Sequence, residues 1–149
     1  RQMVAVRMDS EIQKLKDLTG KMIAVQETSK AEEYFLRSDF EGIPDVSLVY
    51  CFSNMDEVFA ALRKNYVEAI CGHESALISF INTAPDEYRL LDESFLYSAL
   101  GVAFDIQYDE EFVEELVKTL GDMMNDGTIA AIVGKYVLDA EKSLGRGND

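Results

Sequence analysis

The chain has 149 residues, 48% of them hydrophobic, and its 28 Asp and Glu against 14 Lys and Arg leave a formal net charge of −14. That composition supplies a core for one ordinary domain or one and a half small lobes, and no apolar run approaches the length that crosses a membrane. So acidic a balance speaks against nucleic acid, whose phosphates demand Lys and Arg, while leaving room for a local site that opposes the overall field.

Gln2 to Arg7 reads as a strand and Ser10 to Leu18 as a short helical turn. Met22, Ile23, Ala24 and Val25 form the short apolar run expected of a parallel strand covered on both faces. Thr28 and Ser29 then open a helix that runs to Arg37, with Ser29 and Glu32 at capping-box spacing. A loop through Gly42 and Pro44 leads to a strand at Val46 to Tyr50. Ser53, at capping spacing from Asp56, starts a helix whose inner face is Val58, Phe59 and Leu62. The next strand begins at Val67 and ends at Gly72, followed by a helix from about His73 to Ile81. After the turn Ala84-Pro-Asp86, Tyr88–Leu91 and Phe95–Phe104 read as two extended segments. The remainder is helical. Phe112, Leu116 and Leu120 form one stripe, Gly127 breaks it, and Ile129, Ile132, Val133 and Tyr136 form the next. From Glu141 onward the tail is polar and flexible.

The alternation of strands and helices between residues 21 and 82 implies an α/β fold, a small mostly parallel sheet flanked by helices, with a C-terminal helical segment. In such sheets ligands bind beyond the carboxyl ends of the strands. That edge carries Gln26 to Ser29, Tyr50 to Ser53 and Gly72 to Glu74. Hydroxyls delivered to a helix N-terminus suit an anion. The acidic run at Asp109, Glu110 and Glu111 is explained as a helix start. Cys51 and Cys71 fall on two separate strands, and with the Met22 strand between them two spacings of about 4.8 Å leave them too far apart to bridge. Two free thiols are expected.

Several passages, in this order, resemble one family. They are Gln2-Met-Val-Ala-Val-Arg-Met-Asp-Ser10, Leu15-Lys-Asp-Leu-Thr-Gly-Lys-Met-Ile-Ala-Val-Gln26, Asn54-Met-Asp-Glu-Val-Phe-Ala-Ala-Leu62 and Val67-Glu-Ala-Ile-Cys-Gly-His-Glu74. Leu100-Gly-Val-Ala-Phe-Asp105, Leu120-Gly-Asp-Met-Met-Asn-Asp-Gly-Thr-Ile129 and Lys135-Tyr136 complete the series. Together they are similar to the second lobe and closing helices of family 3 extracellular solute-binding proteins, the amino-acid receptors of ABC importers.

The resemblance implies the periplasmic-binding-protein-like II fold. Residues 10–97 would form the second lobe. Residues 1–9 and 98–140 would be hinge strands and C-terminal helices of an otherwise absent first lobe, and 141–149 a flexible tail. The chain starts at Arg1 with no initiator Met, and with most of the first lobe missing it reads as a fragment. The alternative is a naturally minimal protein that replaces the missing lobe by pairing with another chain as a dimer, which the exposed apolar faces of its two terminal helices would favour. The resemblance further implies an extracytoplasmic location, periplasmic or anchored at the cell surface. The implied partners are a membrane permease and a small polar, amino-acid-like solute, with no cofactor, no metal and no catalysis.

Residues implied to meet the solute are Gln26, Glu27, Thr28, Ser29, Phe52, His73 and Glu74. Thr28 and Ser29 match the positions that hold a ligand carboxylate. Glu27 stands where the family commonly has Gly, bringing a carboxylate that crowds an anionic ligand. His73 stands where amino-acid binders usually carry an Asp for the ligand's ammonium group, so either the ligand is not a plain α-amino acid or Glu74 or Glu27 receives the amine. Two other readings remain. One is a sensor domain of the same fold on a membrane signalling protein. The other is an enzyme such as a prephenate-dehydratase-like protein, whose Thr-Arg-Phe signature does not occur here.

Overall fold

The computed structural model describes residues 1–37, 40–97, 101–137 and 139–145. Among these the strands are β1 (Gln2–Arg7), β2 (Met22–Gln26), β3 (Leu48–Phe52), β4 (Ala69–His73) and β5 (Tyr88–Leu96). The helices are α1 (Lys30–Leu36), α2 (Met55–Arg63), α3 (Glu74–Ile81), α4 (Glu110–Asn125), α5 (Thr128–Val133) and α6 (Ala140–Ser143), with a 3-10 turn at Leu15–Leu18. The chain divides into two compact units at about residue 98.

In the first unit the five strands form one sheet in the order β3-β2-β4-β1-β5. β2 pairs in parallel with both β3 and β4, while β1 runs antiparallel to β4 and β5. Period-two alternation then decides which side chain meets which helix. Val4, Val6, Ile23, Val25, Ala69 and Cys71 face one side and pack with Ala31, Tyr34 and Phe35 of α1. Met3, Ala5, Ala24 and Ile70 face the other and pack with Val58, Ala61 and Leu62 of α2 and with Leu77 and Phe80 of α3. Each of these faces is therefore dry, and Ile23, Ala24 and Val25 are fully buried in consecutive positions.

Cys51 and Cys71 are free, with β2 between their strands as expected. Several boundaries differ from the sequence reading. The helical turn predicted from Ser10 contracts to Leu15–Leu18, because the Asp17 carboxylate accepts the N–H groups of Gln13 and Lys14 and closes a tight cap. The first helix starts at Lys30, not Thr28, whose φ of 56° is left-handed and incompatible with a helix. β3 begins at Leu48, since the Val46 N–H turns back to the Pro44 carbonyl. Asn54, not Ser53, caps α2, accepting the Glu57 N–H at 3.0 Å. Tyr88 to Leu96 is one continuous strand, and residues 101–104 of the second predicted extended segment are in no strand; the intervening 98–100 lie outside the described residues. In place of a wholly irregular tail, Ala140–Ser143 makes one helical turn, capped by Asp139; 146–149 lie outside the described residues.

The second unit comprises α4, α5 and α6. Gly127, with φ of 84°, sits at the break between α4 and α5 where the sequence places it. Phe104, Tyr108 and Phe112 cluster with ring centroids 5.1 to 6.3 Å apart.

Leu62 is fully buried beneath the sheet. Leu62→Ala is expected to lower stability by about 2–5 kcal/mol, through lost burial and the cavity left behind. Urea denaturation followed by circular dichroism should show a lower midpoint with an unchanged slope.

Candidate functional site

The parallel strands β2, β3 and β4 end at one edge of the sheet. The register pairs Gln26 with Phe52 and, two residues earlier, Ala24 with Ile70, so the ends of all three strands come level. Each end turns directly into a helix: β2 through Glu27, Thr28 and Ser29 into α1, β3 through Ser53 and Asn54 into α2, and β4 through His73 into α3. Three helix N-termini thus share one edge.

At the first junction the Glu27 N–H extends the ladder to the Phe52 carbonyl at 2.8 Å. Thr28 then takes its left-handed conformation, which is strained for a β-branched residue. Four local bonds hold the turn there. The Thr28 hydroxyl donates to the Glu27 carbonyl at 2.7 Å, and the Thr28 N–H donates to the Glu32 carboxylate at 2.7 Å. The Ser29 hydroxyl donates to the Gln26 carbonyl at 2.6 Å and accepts the Glu32 N–H at 3.2 Å. The expected capping box is therefore displaced by one residue at its acidic end, with Glu32 reaching Thr28 and not the cap residue itself. Glu27 and Thr28 are exposed, and Gln26 and Ser29 half-buried.

The second junction repeats the device. The Glu57 carboxylate accepts from the Ser53 N–H at 3.2 Å and from its hydroxyl at 3.0 Å. Phe52 is half-buried, and its ring stacks at 23° on that of Tyr50, 6.4 Å away. Met55, at the start of α2, lies over Gly72 of β4, where a Cβ would come within 3.4 Å of its methyl group.

At the third junction His73 caps α3. Its Nδ1 accepts the Ser75 N–H at 3.4 Å and lies 2.9 Å from the Ser75 hydroxyl. Burial holds the imidazole below its usual pKa, against the pull of the Glu74 carboxylate. Glu74 is fully buried. The Arg1 guanidinium grips its carboxylate through both oxygens, Nε at 3.0 Å and Nη2 at 2.5 Å, and the Glu74 N–H donates to the Arg1 carbonyl at 3.0 Å. Tyr97 adds its hydroxyl to the same guanidinium.

The fold thus gathers Gln26, Glu27, Thr28, Ser29, Phe52 and His73 at one edge, while Glu74 turns inward to Arg1. Sequence reasoning placed Glu32 in a capping box without giving it a part in the site, and missed the parts played by Arg1, Asn54 and Glu57. The spacing of Glu32 from Ser29 and of Glu57 from Asn54 carried a signal for the carboxylates. Nothing local pairs Arg1 with a residue 73 positions away. Among the described residues no group of His, Cys, Asp and Glu is arranged to hold a metal ion.

Two outcomes test this geometry. Glu74→Ala strands a buried guanidinium and is expected to cost about 3–5 kcal/mol in a denaturation series. The thiols should be inert at pH 8, since burial and the Glu32 carboxylate push Cys51 up to about 11 and burial raises Cys71 further. Alkylation followed by mass spectrometry should modify Cys51 slowly and Cys71 only after unfolding.

No protein-family model and no curated protein matches the chain. Solved structures do. One is the substrate-binding protein of an amino acid ABC transporter, 30% identical with a TM-score of 0.53, over 61% of this chain and 38% of that one. An ancestral arginine-binding protein bound to glutamine is 26% identical with a TM-score of 0.65, over 91% and 58%. The cysteine-binding protein from Campylobacter jejuni is 25% identical with a TM-score of 0.52, over 60% and 34%. These are proteins of the kind that the residue order resembles, and the five-stranded sheet flanked by helices is their periplasmic-binding-protein-like II architecture. The chain spans between about a third and three fifths of the length of these structures.

Proposed function

We propose that this chain is part of the extracytoplasmic solute-binding receptor of an ABC importer for amino acids or related small polar solutes, and that it performs no chemistry. Residues 10–97 are then the second lobe, and 1–9 and 98–140 the hinge strands and closing helices of a first lobe. The observation that carries this reading is the alignment of three strand–helix junctions on one edge of a parallel sheet, built from the residues the family resemblance singles out. Such an edge offers backbone N–H groups, hydroxyls and the positive ends of helix dipoles to a polar solute. Proteins of known structure with this fold, bound to amino acids, support the solute class. The partner in this reading is a membrane permease; among the described residues no helix is long and apolar enough to cross a membrane.

A receptor of this kind closes two lobes on its ligand by hinge motion. One lobe supplies half of the enclosing surface, and affinity falls steeply when a pocket is open on one side. In titrations of the isotopically labelled 149-residue chain with L-arginine and L-glutamine, dissociation constants of roughly 1 mM or weaker are expected. The largest shift changes should fall on Gln26 to Ser29, Phe52 and His73. Tight binding by this chain alone, or changes clustered elsewhere, would contradict the proposal.

A further inference from the structure

We propose that His73 acts as a hydrogen-bond donor that selects solutes presenting an uncharged or anionic oxygen at its position in place of an ammonium group. The inference rests on reading this edge as the ligand face, and it names the class of ligand that face takes.

The donor role follows from helix capping. A backbone N–H can only donate, so the Ser75 N–H at 3.4 Å requires a lone pair on Nδ1, and the Ser75 hydroxyl at 2.9 Å sits beside the same nitrogen. A neutral imidazole with its lone pair on Nδ1 carries its hydrogen on Nε2. Protonating the ring would turn an N–H of Nδ1 against the Ser75 N–H and place a full positive charge at the positive end of α3. Burial opposes that charge as well. Among the described residues no hydrogen bond engages Nε2, which is therefore the atom left for a solute. It offers N–H.

Three carboxylates that would reverse this preference, Glu74, Glu32 and Glu57, are occupied, while Glu27 stands exposed on the first junction. Glu74, the neighbour in sequence, is fully buried with both oxygens on the Arg1 guanidinium. Glu32 is folded onto the Thr28 N–H, and Glu57 onto Ser53. An ammonium group brought to His73 meets a donor and a helix's positive end. A keto, hydroxyl or carboxylate oxygen meets a complementary partner.

His73 is the only histidine of the chain, so its ring nitrogens are read without ambiguity. Long-range nitrogen–proton correlation spectra of the labelled chain at pH 7.5 should show Nε2 protonated and Nδ1 bare. The opposite tautomer, or a charged ring, overturns the proposal. The ligand half is tested with 2-oxoglutarate and L-glutamate, which differ by a keto oxygen against an ammonium. His73→Asp keeps a good helix cap but replaces the donor by a carboxylate. His73→Asn keeps both a capping oxygen and an N–H donor.

The ratio of affinities, 2-oxoglutarate over L-glutamate, should fall about tenfold or more in His73→Asp and persist in His73→Asn. A ratio unchanged in His73→Asp, or lost equally in both variants, overturns the donor role. Failure of both compounds to shift this edge in any form, with the tautomer as stated, overturns the reading of the edge as a ligand face and leaves the donor assignment standing.

Discussion

The parallel pairing of β2 with a strand on either side is the constraint on which the rest of this structure depends. A parallel strand cannot be joined to its neighbour by a tight turn, so each pairing imposes a crossover, and the crossovers here are α1 and α2. Because α1 packs on one face and α2 on the other, the centre of the sheet is sealed from both sides, and β2 must be apolar without alternation. The same geometry brings strand ends, and with them helix starts, to a single edge. Core and candidate site are consequences of one topological choice.

What that edge offers has been partly spent within the molecule. Glu32 and Glu57 turn back onto the residues preceding their own helices, so two of the three junctions carry an internal anion at the positive end of the helix. The third has no such carboxylate, because Glu74 is drawn into the interior by Arg1 and the cap is an imidazole. A family-level likeness therefore predicts the shape of the edge better than its electrostatics.

The strands and their order were legible in the sequence wherever burial is two-sided. Met22 to Val25 could hardly be anything other than an inner strand. Legibility failed where polar residues interrupt a strand for tertiary reasons. Asp92, Glu93 and Ser94 broke the reading of β5 into two, yet Glu93 is polar because its carboxylate accepts the Leu15 N–H at 2.7 Å across the fold. Ser53 and Asn54 are equally good caps by type, and only the backbone that follows decides between them. At the site, the residues of the three junctions were visible from motif and spacing. The Arg1–Glu74 pair was not, since a buried ion pair leaves no periodic or local trace. Its effect is nonetheless large: it removes from the edge the acidic group nearest His73.

Thr28 carries a further consequence, for which substitutions this turn tolerates. A left-handed residue with a branched Cβ is held in place by its own hydroxyl and by the Glu32 carboxylate. Glycine at this position would relax the backbone while enlarging the ensemble of unfolded conformations, two effects of similar size and opposite sign. Asn and Asp reach the same conformation with side chains that bond to the local backbone. Val and Ile share the branching and lack the hydroxyl. The turn is thus open to drift among small polar residues and closed to apolar ones of the same shape, so its chemical character is preserved by conformational strain independently of any demand made by a solute.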